Sequence, residues 1–155
     1  MENILTEEEL IEYAKPFLKS RKFKKKNKRW TKDIGDFTII FFIQGSCYDK
    51  NDYYIRPGIF INALPAFGLN YYGHFHTELK QTTAEEVMNK FEKWYTEWTD
   101  KELIKERVLK FIEWDKRNPL ENRRAGLVDY DADPCPAYEC FSLSEKHIQY
   151  ILSEF

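Results

Sequence analysis

The sequence predicts one α+β domain, with an N-terminal helix, a meander of about four antiparallel strands, and C-terminal helices packed on one face of the sheet. Three observations carry that prediction. Phe37 to Gln44 is a short uncharged run with six apolar residues in eight, rich in β-branched and aromatic side chains, and it reads as a central strand. The segments beside it alternate in character and are joined by connections shorter than the dozen or so residues of a parallel crossover. Thr6 with Glu9 and Thr83 with Glu86 form capping boxes that open helical apolar stripes before and after the strands.

In the first helix Leu10, Ile11, Ala14, Phe17 and Leu18 make one apolar face, with Glu7, Glu8 and Glu9 complementing the dipole at its start. Pro16 lies inside that pattern and predicts a kink or break near Tyr13 to Lys15. Between Lys19 and Lys32 only Phe23 and Trp30 can anchor a core, and the segment ends in an edge strand from about Lys28 to Lys32. Asp33-Ile34-Gly35-Asp36 supplies a turn, so the chain returns as the central strand. Phe37, Ile39, Phe41 and Ile43 point to one side of the sheet, and Thr38, Ile40, Phe42 and Gln44 to the other.

After a polar loop, Tyr53 to Ala63 alternates again, and Pro57-Gly58 predicts a bulge or a place where Pro57 has no ladder partner. A further strand, Leu69 to Glu78, puts Asn70, Tyr72, His74, His76 and Glu78 on one face. Val87, Phe91, Trp94, Tyr95 and Trp98 then give an aromatic helix face, and Thr99-Asp100 restarts the pattern through Ile104, Val108, Phe111 and Ile112. Residues from Pro119 to Phe141 read as irregular. Ser142 or Ser144 caps a last helix whose Ile148, Ile151, Leu152 and Phe155 dock the C-terminus.

Composition bounds the function. A chain of 155 residues with 43% hydrophobic and 17% aromatic content builds a core and is not disordered. The first residues are acidic where a signal peptide carries positive charge and then an apolar segment, so none is expected, and the longest apolar run is far below the roughly 18 residues of a membrane span. A cytoplasmic protein without membrane contact is expected, and three cysteines, an odd number, suit reduced thiols. The net charge of −2 conceals an asymmetry: nine of the 24 basic residues and none of the 26 acidic ones fall between Lys19 and Lys32.

The order of these motifs resembles a family of small bacterial domains of unknown function. A helix ending Lys15-Pro16-Phe17-Leu18-Lys19 precedes a Phe23-Lys24-Lys25-Lys26 segment, and an apolar strand closes on Gln44-Gly45-Ser46. Lys22 stands where that family carries a glycine before the phenylalanine. The resemblance covers roughly Leu10 to Glu78 and implies an α+β fold. It also implies a link to toxin systems, in which small proteins of this kind act as immunity factors. It brings no catalytic residue with it.

Four groups of residues are candidates for chemistry. His74-x-His76-x-Glu78 places two imidazoles and a carboxylate on one strand face, a spacing open to a divalent metal, but no second such pair exists and a solvated polar face is the plainer reading. Asp129, Asp131 and Asp133 begin like a calcium loop, yet Pro134 replaces the turning glycine and Cys140 the bidentate glutamate. The basic band offers Lys22, Lys24, Lys25, Lys26, Lys28 and Arg29 as anion contacts, with Phe23 and Trp30 for base stacking. Against nucleic acid stand the acidity of the whole chain and the use of lysine to guard edge strands.

The last group is a surface: Arg56, Asn62, Tyr72, His74 and His76 share the sheet face of Ile40 and Phe42, an aromatic and polar patch suited to a partner. No nucleophile triad and no phosphate loop occur. The function expected is that of a non-enzymatic binding protein with a protein partner and no cofactor or bound metal. Nucleic-acid binding through the basic band, or a metal-dependent enzyme using His74 and His76, is the alternative.

Overall fold

The computed structural model describes residues 5–45, 52–64, 73–135 and 145–155. Helix α1, Glu7–Ser20, is followed by strands β1 Lys24–Lys26, β2 Arg29–Asp33, β3 Phe37–Gly45, β4 Tyr53–Ile61 and β5 Phe75–His76. Helices α2 Ala84–Trp98, α3 Lys101–Arg117, α4 Leu120–Arg124 and α5 Glu145–Glu154 complete the chain. The strands form one antiparallel sheet in the order β1-β2-β3-β4-β5, a meander with β3 at its centre.

The sheet has five strands where about four were expected. The additional one comes from the basic band, whose lysines gave no apolar pattern to read. Lys26 pairs with Arg29 across the two-residue turn Asn27-Lys28, and Asn27 adopts φ +58, a conformation asparagine tolerates better than most residues. Two other expectations also change. Of the kink or break expected at Pro16, the break does not occur, since helix α1 continues through it. Pro16 and Glu12 are both exposed, so water can take up the Glu12 carbonyl that loses its donor. A short helix, α4, occupies part of the segment read as irregular.

Pro57 causes no bulge: Phe37 to Gly45 runs in unbroken register with Ile61 to Tyr53. The amides of Thr77 and Leu79 donate to the carbonyls of Pro57 and Ile55, so odd-numbered residues of β4 turn their backbone groups toward β5. The missing N–H of Pro57 therefore removes no rung from the central β3–β4 ladder.

Register fixes which side chains share a face. Trp30, Phe41 and Pro57 lie in one row, as do Lys32, Ile39, Ile59 and Phe75. This face carries the core, and α2 lies on it: Phe91 is fully buried with its ring centroid 4.9 Å from that of Phe41, while Trp98 meets Phe75 at 5.0 Å. At one end of the sheet Phe155 meets Phe37 edge-on, so the C-terminal helix is docked as its spacing predicts.

The end of α1 shows why glycine suits position 22. The amide of Lys22 donates to Lys19 O and that of Phe23 to Leu18 O, each at 3.0 Å, which is a Schellman closure with Leu18 and Phe23 both buried. Lys22 holds the left-handed position at φ +66. A side chain there costs about 1 kcal/mol or more. Lys22→Gly is therefore expected to raise stability in urea unfolding by about 0.5–1 kcal/mol after the added chain entropy of glycine is offset. A loss of stability would show that the lysine side chain contributes more than its backbone strain removes.

Candidate binding face of the sheet

The side chains of opposite parity form the second face. Arg29 and Arg56 flank Phe42 on its two neighbouring strands, and Lys26 lies beyond Arg29 in the same row. Tyr54 lies opposite Gln44, and Phe60 opposite Thr38. Arg29, Phe42, Gln44, Tyr54, Arg56, Phe60 and His76 are all half-buried. Ile40 is the one larger apolar group of this face that is buried among the described residues, at 1% exposure, beside side-chain-less Gly58 and diagonal to Arg56 and Phe60.

Arg56 is positioned from its own sheet. Its Nη1 donates to Gln44 Oε1 at 2.8 Å, and its guanidinium lies 4.7 Å from the centre of the Tyr54 ring. Both contacts fix the guanidinium on the strands next to Phe42. His76 extends the face at the β5 edge, paired with Gly58. Burial pushes the His76 imidazole below its ordinary range, and the charge of Arg56 adds to that.

Two of the residues expected on this face, His74 and Asn62, are engaged by bonds within the fold. His74 is fully buried, and its Nδ1 accepts the amide of Ile61 at 2.9 Å. That amide points toward β5 beyond the Ile59–Phe75 pair, where the chain leaves the sheet at Gly73. The imidazole replaces the missing rung. A Cβ on Gly73, which has φ +86, would stand 2.7 Å from Ile59 O, so only glycine brings the backbone this close. With Nδ1 an acceptor, His74 is neutral and carries its proton on Nε2. Its ring meets Phe60 and His147 edge-on, at 5.6 and 4.7 Å.

Asn62 is drawn into the β2–β3 turn. Its amide nitrogen donates to Gly35 O and Asp33 Oδ1, and its oxygen accepts from Thr38. Tyr72 lies outside the described residues. Glu78 is exposed and His74 is not, so the His-x-His-x-Glu run does not form one ligand face, and no cluster suited to a metal occurs among the described residues.

The basic band divides between core, ion pairs and edge. Phe23 and Trp30 are buried against Phe91 and Phe41, which removes both rings from the surface. Arg21 pairs with Glu92 and lies over Phe17, and Lys28 pairs with Glu7. Lys22, Lys24, Lys25 and Lys26 are exposed, and Arg29 joins the row of Arg56.

A second, smaller cluster lies at the end of α3. Trp114 is buried and its indole donates to Asp133 O at 2.8 Å, while the Asp133 carboxylate accepts from Arg117 and Asn118. Asp129 caps its own turn by accepting the amides of Asp131 and Ala132. Cys135 is a free thiol, and Cys47 and Cys140 lie outside the described residues.

The signal that would have joined Arg29 to Arg56 was available in principle, because both stand opposite Phe42 once the register is known. It needed the Asn27-Lys28 turn to be recognised first. A pH test follows from His76. Its depressed value means the folded chain holds fewer protons than the unfolded one below about pH 6.5. Stability from this group is complete above that pH and lost as pH falls. His76→Gln is expected to flatten the decline of urea stability between about pH 7 and about pH 5, and equal slopes in both proteins would contradict the placement.

Among the described residues no helix is long and apolar enough to cross a membrane. No curated protein and no solved structure matches the chain. A family match covers residues 14–117, from the middle of α1 to the end of α3, and so includes the whole sheet and the α2 layer. The chain belongs to the DUF4304 family, a domain of unknown function.

Proposed function

We propose that the chain is a non-enzymatic cytoplasmic binding module that meets a protein partner on the sheet face opposite α2, in the manner of a bacterial toxin-immunity protein. The carrying observation is the composition of that face. Phe42, Tyr54 and Phe60 stand among Arg29 and Arg56 on strands whose other side is fully used by the core. Aromatic and arginine side chains dominate interface energetics, whereas a sheet face meant only for water is polar throughout.

The geometry gives less support to the alternatives. A nucleic-acid site in the basic band has cations, but its two rings are in the core. A metal-dependent reaction at His74 and His76 would begin from an imidazole whose Nδ1 is already bonded to Ile61.

Capture from the native cell tests the reading when a face variant is run beside the wild type. Phe42→Glu with Arg56→Glu is expected to lose a specifically retained protein, with Leu109→Glu/Lys110→Glu on the exposed side of α3, an equal change of net charge, as the control that keeps it. Retention by the face variant equal to that of the wild type, with both folded by circular dichroism, would refute it.

A further inference from the structure

One edge of the sheet is β1, where Lys24, Lys25 and Lys26 are all exposed. Which backbone groups face outward follows from the ladder. The amide of Ile43 donates to Lys28 O, so even-numbered residues of β2 bond to β3. Odd-numbered ones turn to β1, which makes Lys26–Arg29 and Lys24–Thr31 the bonded pairs. Lys25 therefore directs its N–H and C=O away from β2. Among the described residues no strand lies on that side and no carboxylate pairs with Lys24, Lys25 or Lys26.

We propose that this edge accepts an extended acidic polypeptide segment as an added strand. The backbone of Lys25 supplies the first rung, and carboxylates alternating along the segment meet Lys24 and Lys26 on the open face. Charge selects the occupant. A second copy of β1 would bring lysine against lysine, and a neutral strand would leave three ammonium groups without counterions at a new ladder. The same lysines that guard the edge against these strands attract an acidic one. Nucleic acid has the charge but lacks a stacking ring here, since Phe23 and Trp30 are buried, and the rest of the chain holds 15 basic residues against 26 acidic ones. The edge is a different surface from the aromatic face, and strand addition there stands whether or not a partner docks on that face.

The test uses the full chain and a short synthetic peptide alternating glutamate and valine, followed by amide chemical shifts. Strand addition is expected to shift and protect the Lys25 amide and to weaken with added salt. Peptide affinity should fall about tenfold or more both for Lys24→Glu/Lys25→Glu/Lys26→Glu and for a peptide N-methylated at alternate amides. Equal binding by the methylated peptide would reduce the effect to charge attraction and overturn the proposal. So would absence of binding, or displacement of the peptide by a single-stranded oligonucleotide of equal charge. Phe42→Glu/Arg56→Glu should keep the peptide, which separates failure at this edge from failure at the face.

Discussion

Everything in this fold depends on β3 being apolar on both sides, a condition that only a central strand meets. Its odd-numbered side chains are sealed by α2, through Phe91 on Phe41 at 4.9 Å, with Phe23 and Tyr95 extending the same ring contacts. Burying four large side chains of one strand requires a full helical layer, and α1 and α2 supply it by packing on each other. Once that layer is in place, pleat parity leaves Ile40 and Phe42 on the other side. Antiparallel neighbours then place Arg29 and Arg56 beside Phe42.

The parts of this arrangement that follow local rules were legible in the sequence. Thr6 and Thr83 each open a helix by accepting the amide three residues on, Asp100 caps the helix that restarts there, and the alternation of residues 37–44 and 53–61 placed the core face correctly. The parts that failed depended on long-range partners. Alternation assigned His74 to a solvated strand face, whereas it is fully buried, with its ring against Phe60 and His147 and its Nδ1 accepting the Ile61 amide. Asn62 is exposed and bonds Thr38 of the same face, but its amide nitrogen is also engaged by Gly35 and Asp33, 27 and 29 residues away, which no local pattern reveals. The strand β1 was illegible because lysines carry no periodic apolar signal, and only the left-handed tolerance of Asn27 marked the turn.

The charge pattern has a structural explanation as well. A basic band on an acidic chain is partly consumed by the fold, since Arg21 ties the end of α1 to α2 through Glu92, and Lys28 reaches back to Glu7. Such exposed or half-exposed pairs contribute little stability each, about 0–1 kcal/mol, so their effect is mainly to fix which lysines stay outside. Of those left at the surface, Lys24, Lys25 and Lys26 form one edge, next to the arginine row, while Lys19 and Lys22 stay at the end of α1. The β1 edge and the arginine and aromatic face thus adjoin as two distinct surfaces, and both are made from residues that the family match encloses.

The two-sided character of β3 is tested most directly by comparing two residues adjacent in sequence. Phe41 is fully buried under α2, and Phe42 is half-buried on the opposite face. In urea unfolding Phe41→Ala should lose about 3–5 kcal/mol, and Phe42→Ala should lose less than half as much. Equal losses, or a larger loss at Phe42, would mean that the sheet is buried alike on both sides, and no face would remain for a partner.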